Sequence, residues 1–245
     1  MLRRSIAFIV LAAGLSLFMS SASAQFLSTE GTSNLIKGER YFTAWKSGNF
    51  DGSALRRWWS DQYGPAQVDI NQYDGGYDCG IRKPSQGKTQ LKNAKTGKSM
   101  YIKWAGNIWH SGWWVWGGKV TVSPGTSAWP WGSNHYETYI VEDCKKTPTQ
   151  LEAFINGMYH KTEYYNGSNY KFYTKSHNNH KQLWIVRQNY RSNGWMNVGQ
   201  MFRNLGGTGG ITGDYYVHDI KASVEFFGRV EGWFQIRDLN LFKTW

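Results

Sequence analysis

From Lys98 to the C-terminus the chain is written in short segments rich in β-branched and aromatic residues, each closed by glycine, asparagine or proline. Lys98-Ser-Met-Tyr-Ile-Lys-Trp104 ends at Ala-Gly-Asn, Gly112-Trp-Trp-Val-Trp116 at Gly-Gly, and Lys119-Val-Thr-Val-Ser123 at Pro-Gly. His135 to Val141, Tyr170 to Thr174, Leu183 to Val186, Ile220 to Phe227 and Arg229 to Leu239 have the same character. Such residues suit a pleated, half-buried surface, and regularly spaced turn residues fold it back on itself. The pattern predicts an all-β domain, an antiparallel sandwich or jelly roll. Helical signals are confined to Thr149 to Ile155 and, more strongly, Asn197 to Leu205, so one short helix is expected. Residues 25 to 40 carry no clear pattern, and Arg56 to Gly80 is the least legible stretch.

The N-terminus reads differently. Met1-Leu-Arg-Arg is positive, Ser5 to Phe18 is mostly apolar, and Ser20-Ser-Ala-Ser-Ala24 supplies small residues with Ala22 and Ala24 in the A-x-A positions. This is the pattern of a signal peptide over residues 1–24, and it predicts a secreted protein, extracellular or periplasmic. Gln25 to Trp245 is then expected to form one domain, monomeric and without a membrane segment once the leader is removed.

An exported chain with two cysteines, Cys79 and Cys144, is expected to pair them. A disulfide closing a loop of about 65 residues stabilises by roughly 4 kcal/mol in the chain-entropy model. The six histidines form no metal-binding pattern: His177 and His180 share a turn, but a solvated loop explains them better. No metal and no cofactor are expected. The formal net charge is +11, two units of it from Arg3 and Arg4, which favours solubility and weak attraction to acidic polymers without naming a partner. Fourteen tryptophans among 17% aromatic residues are more than a core of this size needs, and exposed aromatic faces stack on sugar rings or on bases.

Two glutamates stand inside strand-like segments. In His135-Tyr-Glu-Thr-Tyr-Ile-Val-Glu142, alternation puts Glu137, Tyr139 and Val141 on one face and Glu142 on the other. In Arg229-Val-Glu-Gly-Trp-Phe-Gln235, Glu231 shares a face with Arg229 and Trp233. A carboxylate against aromatic carbon loses hydration and holds its proton to higher pH, which suits a general acid. Glu225, in Ser-Val-Glu-Phe-Phe, is its rival for that role. Two such carboxylates about 5–5.5 Å apart make a retaining glycosidase pair. Among the tryptophans, Trp114 and Trp116 share a face, and this pair is expected to line a cleft while Trp113 is core.

These segments, read in order, resemble family 11 glycoside hydrolases, the jelly-roll xylanases. Glu137-Thr-Tyr-Ile-Val-Glu142 is similar to the family's nucleophile strand E-Y-Y-I-V-E at five of six positions, and Glu231-Gly-Trp233 to the E-G-Y of its acid/base strand. Tyr170-Lys-Phe-Tyr-Thr174 resembles Y-D-I-Y-T, and Gln182-Leu-Trp-Ile-Val-Arg-Gln188 resembles Q-Y-W-S-V-R-Q, the most specific match. Asn197-Val-Gly-Gln-Met-Phe202 is similar to the entry of the family's single helix. The resemblance implies a retaining endo-glycosidase that cuts a β-1,4-linked polysaccharide, with xylan the first guess. It implies Glu137 as nucleophile, Glu231 as acid/base, Gln182 and Trp184 beside the nucleophile, Tyr139 facing the cleft, and Trp45 as a sugar-stacking platform. Lys175-Ser-His-Asn-Asn-His-Lys181 departs from the family, replacing its thumb hairpin with a short polar turn, which opens the cleft and puts the substrate in question. A non-catalytic carbohydrate-binding protein on the same fold and a family 12-like β-1,4-glucanase remain the alternatives. A nucleic-acid partner is disfavoured by secretion.

Overall fold

The structure is a computed structural model that describes residues 31–33, 40–45, 56–58, 66–82, 89–90, 99–109, 111–125, 135–177, 180–197, 201 and 204–241. Side chains are described for 111–125, 135–177, 180–194, 201, 204–218 and 223–228. The expected signal peptide lies outside the described residues. Among the latter, no helix is long and apolar enough to cross a membrane.

The described strands are β1 (Gly31–Ser33), β2 (Arg40–Trp45), β3 (Arg56–Trp58), β4 (Ala66–Arg82), β5 (Thr89–Gln90), β6 (Ser99–Trp109), β7 (Trp113–Ser123) and β8 (Tyr136–Cys144), then β9 (Met158–Tyr165), β10 (Ser168–His177), β11 (His180–Arg187), β12 (Asn193–Asn197) and β13 (Tyr216–Leu241), with helix α1 (Pro148–Ile155) between β8 and β9. Their main path runs β1-β2-β4-β13-β7-β8-β11-β10-β9. The fold class is the all-β jelly roll that the strand pattern predicts, with a short helix.

One strand builds both halves of the sheet. Residues 216–227 of β13 pair with β7, whereas 231–241 pair with β6, which in turn holds β12. Between the halves the register with β4 shifts at Phe226/Arg229, where Gly228 takes φ 76°. A bulge bends a strand and raises its local twist, and only glycine adopts that φ without strain. Ile220 to Phe227 and Arg229 to Leu239 are therefore one bent strand.

The Gly117-Gly118 stop is likewise not a turn, because β7 runs straight through it. Gly117 sits at a bulge against β8, and a Cβ there would overlap the Ile140 carbonyl oxygen. Glycine marks a close backbone approach here, which composition alone does not distinguish from a turn.

Alternation assigns two faces to this half of the sheet. Ile140, Leu183, Ile185, Phe172, Val120, Val122 and Phe226 are all at most 1% exposed on one of them. Each such side chain contributes about 1.5–3 kcal/mol by burial. Trp116 lies on this face too, 2% exposed and opposite Val224, and Trp114 pairs with Phe226. The expected arrangement of the tryptophans is thus reversed. Val115 pairs with Glu225, so Trp113 and Val115 take the carboxylate face while Trp114 and Trp116 turn away.

The expected cystine does not form. Cys144 carries a free, buried thiol that accepts from the Lys146 N–H, and burial pushes it up to about 12. Cys79 is in β4 and Cys144 in β8, with β13 and β7 between them. Three inter-strand steps of about 4.8 Å far exceed the 4.4–6.8 Å that a disulfide spans between Cα atoms.

The expected short helix forms, at the first of the two signals. Thr149 to Ile155, the weaker signal, forms α1, opened by a capping box between Thr147 and Gln150 with proline in the first turn and closed by Asn156 at φ 46°. Asn197 ends strand β12, and helical backbone follows at Met201, Asn204 and Leu205. The turn within Lys175–Lys181 is as short as expected: β10 ends at His177 and β11 starts at His180.

Candidate active site

The parallel pairing of β8 and β11 sets Gln182 opposite Glu137 and Trp184 opposite Tyr139. On the other side of β8, Lys119 of β7 lies opposite Tyr139 and Thr121 opposite Glu137. Cross-strand neighbours share a face, so these side chains converge from three strands. Gly117, on the same face of β7, offers no side chain, and Glu225 of β13 reaches in from beyond it.

Lys119 Nζ lies 2.6 Å from Glu137 Oε1 and 3.4 Å from Glu225 Oε2. The Tyr139 hydroxyl donates to Glu137 Oε2 at 2.8 Å and lies 3.4 Å from Glu225 Oε1. Two separate bridges thus join the carboxylates, and neither lets their nearest oxygens stand farther apart than the sum of its two legs. That ceiling is compatible with the 5–5.5 Å between the carboxyl groups of retaining glycosidases. Glu137 and Glu225 are 13% and 10% exposed and Lys119 6%, so the cluster is recessed with some access to solvent.

Further groups orient Glu137. Gln182 Nε2 donates to its Oε2 at 3.4 Å and is itself held by Trp184, whose Nε1 donates to Gln182 Oε1 at 3.3 Å. His180 Nε2 lies 3.4 Å from the same oxygen, and its ring stacks on His135 with centroids 5.0 Å apart. Burial by itself pushes the Glu137 carboxyl up, but the Lys119 ammonium and the hydrogen bonds from His180, Lys119 and Tyr139 outweigh it. The carboxyl ends well below the usual range and stays ionised. Burial, reinforced by the Glu225 charge, holds the Tyr139 phenol well above its ordinary range, so it remains a donor.

Of the residues singled out from the sequence, Glu137, Tyr139, Gln182 and Trp184 come together. Tyr139 and Trp184 are 5% and 2% exposed and stacked on each other with centroids 4.2 Å apart, so they form a floor beneath the carboxylates rather than an open platform. The backbone of Trp45 pairs with Gly76, which in turn pairs with Glu225; its side chain lies outside the described residues. Glu231 pairs with Asn71 and Trp109 beyond the bulge, and its side chain too lies outside them. Glu225 is the carboxylate whose described contacts reach Glu137.

Sequence reasoning missed Lys119 and His180. Lys119 follows Gly-Gly and reads as the flank of a new strand; only the continuity of β7 puts it two residues from Thr121 on the glutamate face. His180 reads as a loop residue, but the hairpin is so tight that the histidine belongs to β11.

No family model matches this chain, and no curated protein matches it. Solved structures do. An engineered ENZbleach xylanase is 18% identical with a TM-score of 0.68, covering 89% of this chain and 85% of that one. A thermostable cellulase derived from the Cel12A enzyme of Rhodothermus marinus is 12% identical with a TM-score of 0.69, covering 90% and 99%. The family 11 xylanase from Neocallimastix patriciarum is 14% identical with a TM-score of 0.66, covering 89% and 99%. Similarity at this level of identity establishes architecture, and the chain accordingly has the β-jelly-roll fold that these glycoside hydrolases share.

Proposed function

We propose that the protein is a retaining glycosidase acting on a β-1,4-linked polysaccharide, xylan first and β-glucan second. The observation that carries this reading is the approach of Glu137 and Glu225 over Gly117, bridged by Lys119 and Tyr139. Glu137, kept ionised, attacks the anomeric carbon and forms a glycosyl-enzyme. Glu225 protonates the departing oxygen and then takes a proton from the water that releases the sugar. Gln182 and Tyr139 hold the nucleophile in place. The second carboxylate is assigned to Glu225 because it shares Lys119 and Tyr139 with Glu137. The xylanases and the cellulase of the same fold support the substrate class. Export by the N-terminal leader fits a polymer met outside the cytoplasm.

Glu137→Gln and Glu225→Gln are each expected to abolish release of reducing ends from xylan and β-glucan while the far-UV spectrum stays unchanged. Full activity in both variants would overturn the reading, and full activity in Glu225→Gln together with loss in Glu231→Gln would return the acid to Glu231.

The Lys119 bridge favours a second reading, a non-catalytic glycan-binding protein. The ammonium stands against both carboxylates, as it would in a purely structural ion cluster. Binding to insoluble glycan with no product on long incubation would establish that reading.

A further inference from the structure

The face that carries the carboxylates is walled on one side. Leu151 and Ile155 of α1, both 0% exposed, pack in one cluster with Val115, Tyr139, Val141, Tyr173, Trp184 and Val186. Those sheet residues lie on the Glu137 face, so α1 sits over it, beyond the carboxylates. The wall continues as aromatic stacking. Phe227, the next residue of β13 on the face of Glu225, stacks on Trp113 with centroids 4.2 Å apart and planes within 13°. Phe154 of α1 meets Trp113 edge-on at 4.4 Å and Phe227 at 5.4 Å, and keeps 41% of its surface exposed.

The wall is also braced. Glu152 accepts from Lys171 Nζ at 3.1 and 3.2 Å and from Gln188 Nε2 at 3.1 Å, tying α1 to β10 and to the end of β11. The capping box satisfies the Thr147 and Gln150 N–H groups at the start of α1.

We propose that α1 and the Phe154–Trp113–Phe227 stack stop the sugar chain on the side of Glu225, so that the site cuts near a chain end instead of in the interior of the polymer. This inference rests on the hydrolase reading above. The acid stands beside the oxygen of the leaving portion. The wall begins two residues past Glu225 on the same face, so a leaving fragment longer than a disaccharide runs into packed aromatic carbon. A reducing-end mono- or disaccharide fits, with Phe154 as the ring on which it rests.

Xylohexaose and cellohexaose are hydrolysed in ¹⁸O-water, and soluble xylan and β-glucan are followed by viscosity against reducing ends. Water oxygen enters the new reducing end, so unlabelled products carry the original one. The expected result is unlabelled mono- and disaccharide, labelled longer fragments, and viscosity that falls slowly for each bond cut. Phe154→Ala, a half-exposed position tolerant of truncation, is expected to raise the viscosity drop per bond about three- to tenfold, the equivalent of one aromatic contact. Unlabelled fragments spread over all lengths, with viscosity collapsing early, would overturn the role of α1 and leave the hydrolase standing. No product from any of these glycans with the unmodified protein would remove the hydrolase reading, and the chain-end inference with it.

Discussion

Two glutamates five residues apart in β8, one on each face, are buried to similar degrees and held in opposite ways. Glu142, whose side chain is 6% exposed, accepts from Arg191 Nε at 2.5 Å, lies 3.8 Å from Arg187 Nη1 and accepts from the Tyr170 hydroxyl at 2.7 Å. Arg187 also donates to the Tyr170 hydroxyl and to the Asn166 and Asn189 carbonyls. Two guanidinium groups answer one carboxylate, and the network closes on loops it must hold. At Glu137 the ratio inverts: in the described contacts one ammonium is shared by two carboxylates. A buried charge is tolerated when it is paired and hydrogen-bonded, and Glu142 meets that condition outright. The described contacts of the Glu137–Glu225 pair instead gather two carboxylates around the Lys119 ammonium. The difference teaches that burial of a strand carboxylate says little about function, whereas the balance of its partners says much.

Four experiments would break or sharpen this contrast. The largest effect is expected at the pair: Glu137→Gln and Glu225→Gln should each lower kcat by about 10²–10⁴-fold with little change in the unfolding midpoint, measured by reducing-end release and denaturant titration. Glu142→Ala should do the reverse. Removing one partner of a buried ion network costs about 3–5 kcal/mol, while the kcat of the molecules that remain folded is unchanged. A loss of kcat without a loss of stability at Glu142 would erase the distinction.

Lys119→Met should act in between. After burial, which acts the other way, the ammonium is the largest influence on Glu137 and helps carry it below its usual range, so without it the acidic limb of kcat/KM moves to higher pH. An unmoved limb would show that other donors keep the nucleophile ionised.

The smallest effect is expected at Asp143, next to Glu142, whose carboxyl burial and the Glu142 charge push up to about 6 against the Cys144 N–H. With its folded value above the unfolded one, the folded state binds the extra proton, so stability falls as pH rises from about 4 through about 6. Asp143→Asn should flatten that slope in thermal melts at pH 4 and pH 7.

Much of this was legible in the chain. Alternation in Glu137-Thr-Tyr-Ile-Val-Glu142 alone separates the two glutamates onto opposite faces, since side chains in a strand repeat every two residues. The Gln182 segment marks the strand that pairs beside it. Where local signals misled, the cause was long-range. Glycine 117 read as a stop because a turn and a close backbone approach call for the same residue. Trp113, Trp114 and Trp116 could be divided by parity, but which side faced the carboxylates depended on the register with β13. Cys79 and Cys144 invited pairing, and only the strand order shows that they are too far apart.

The amino-acid pattern by itself determined the all-β class, the alternation that exposes Glu137 to one face, and the short β10–β11 turn, because each depends on interactions within a few residues. Tertiary structure decided that Glu225 shares Lys119 and Tyr139 with Glu137, and that α1 lies over one side of the pair. Those outcomes depend on which of several possible registers brings distant strands together, and register is settled by the whole buried face at once.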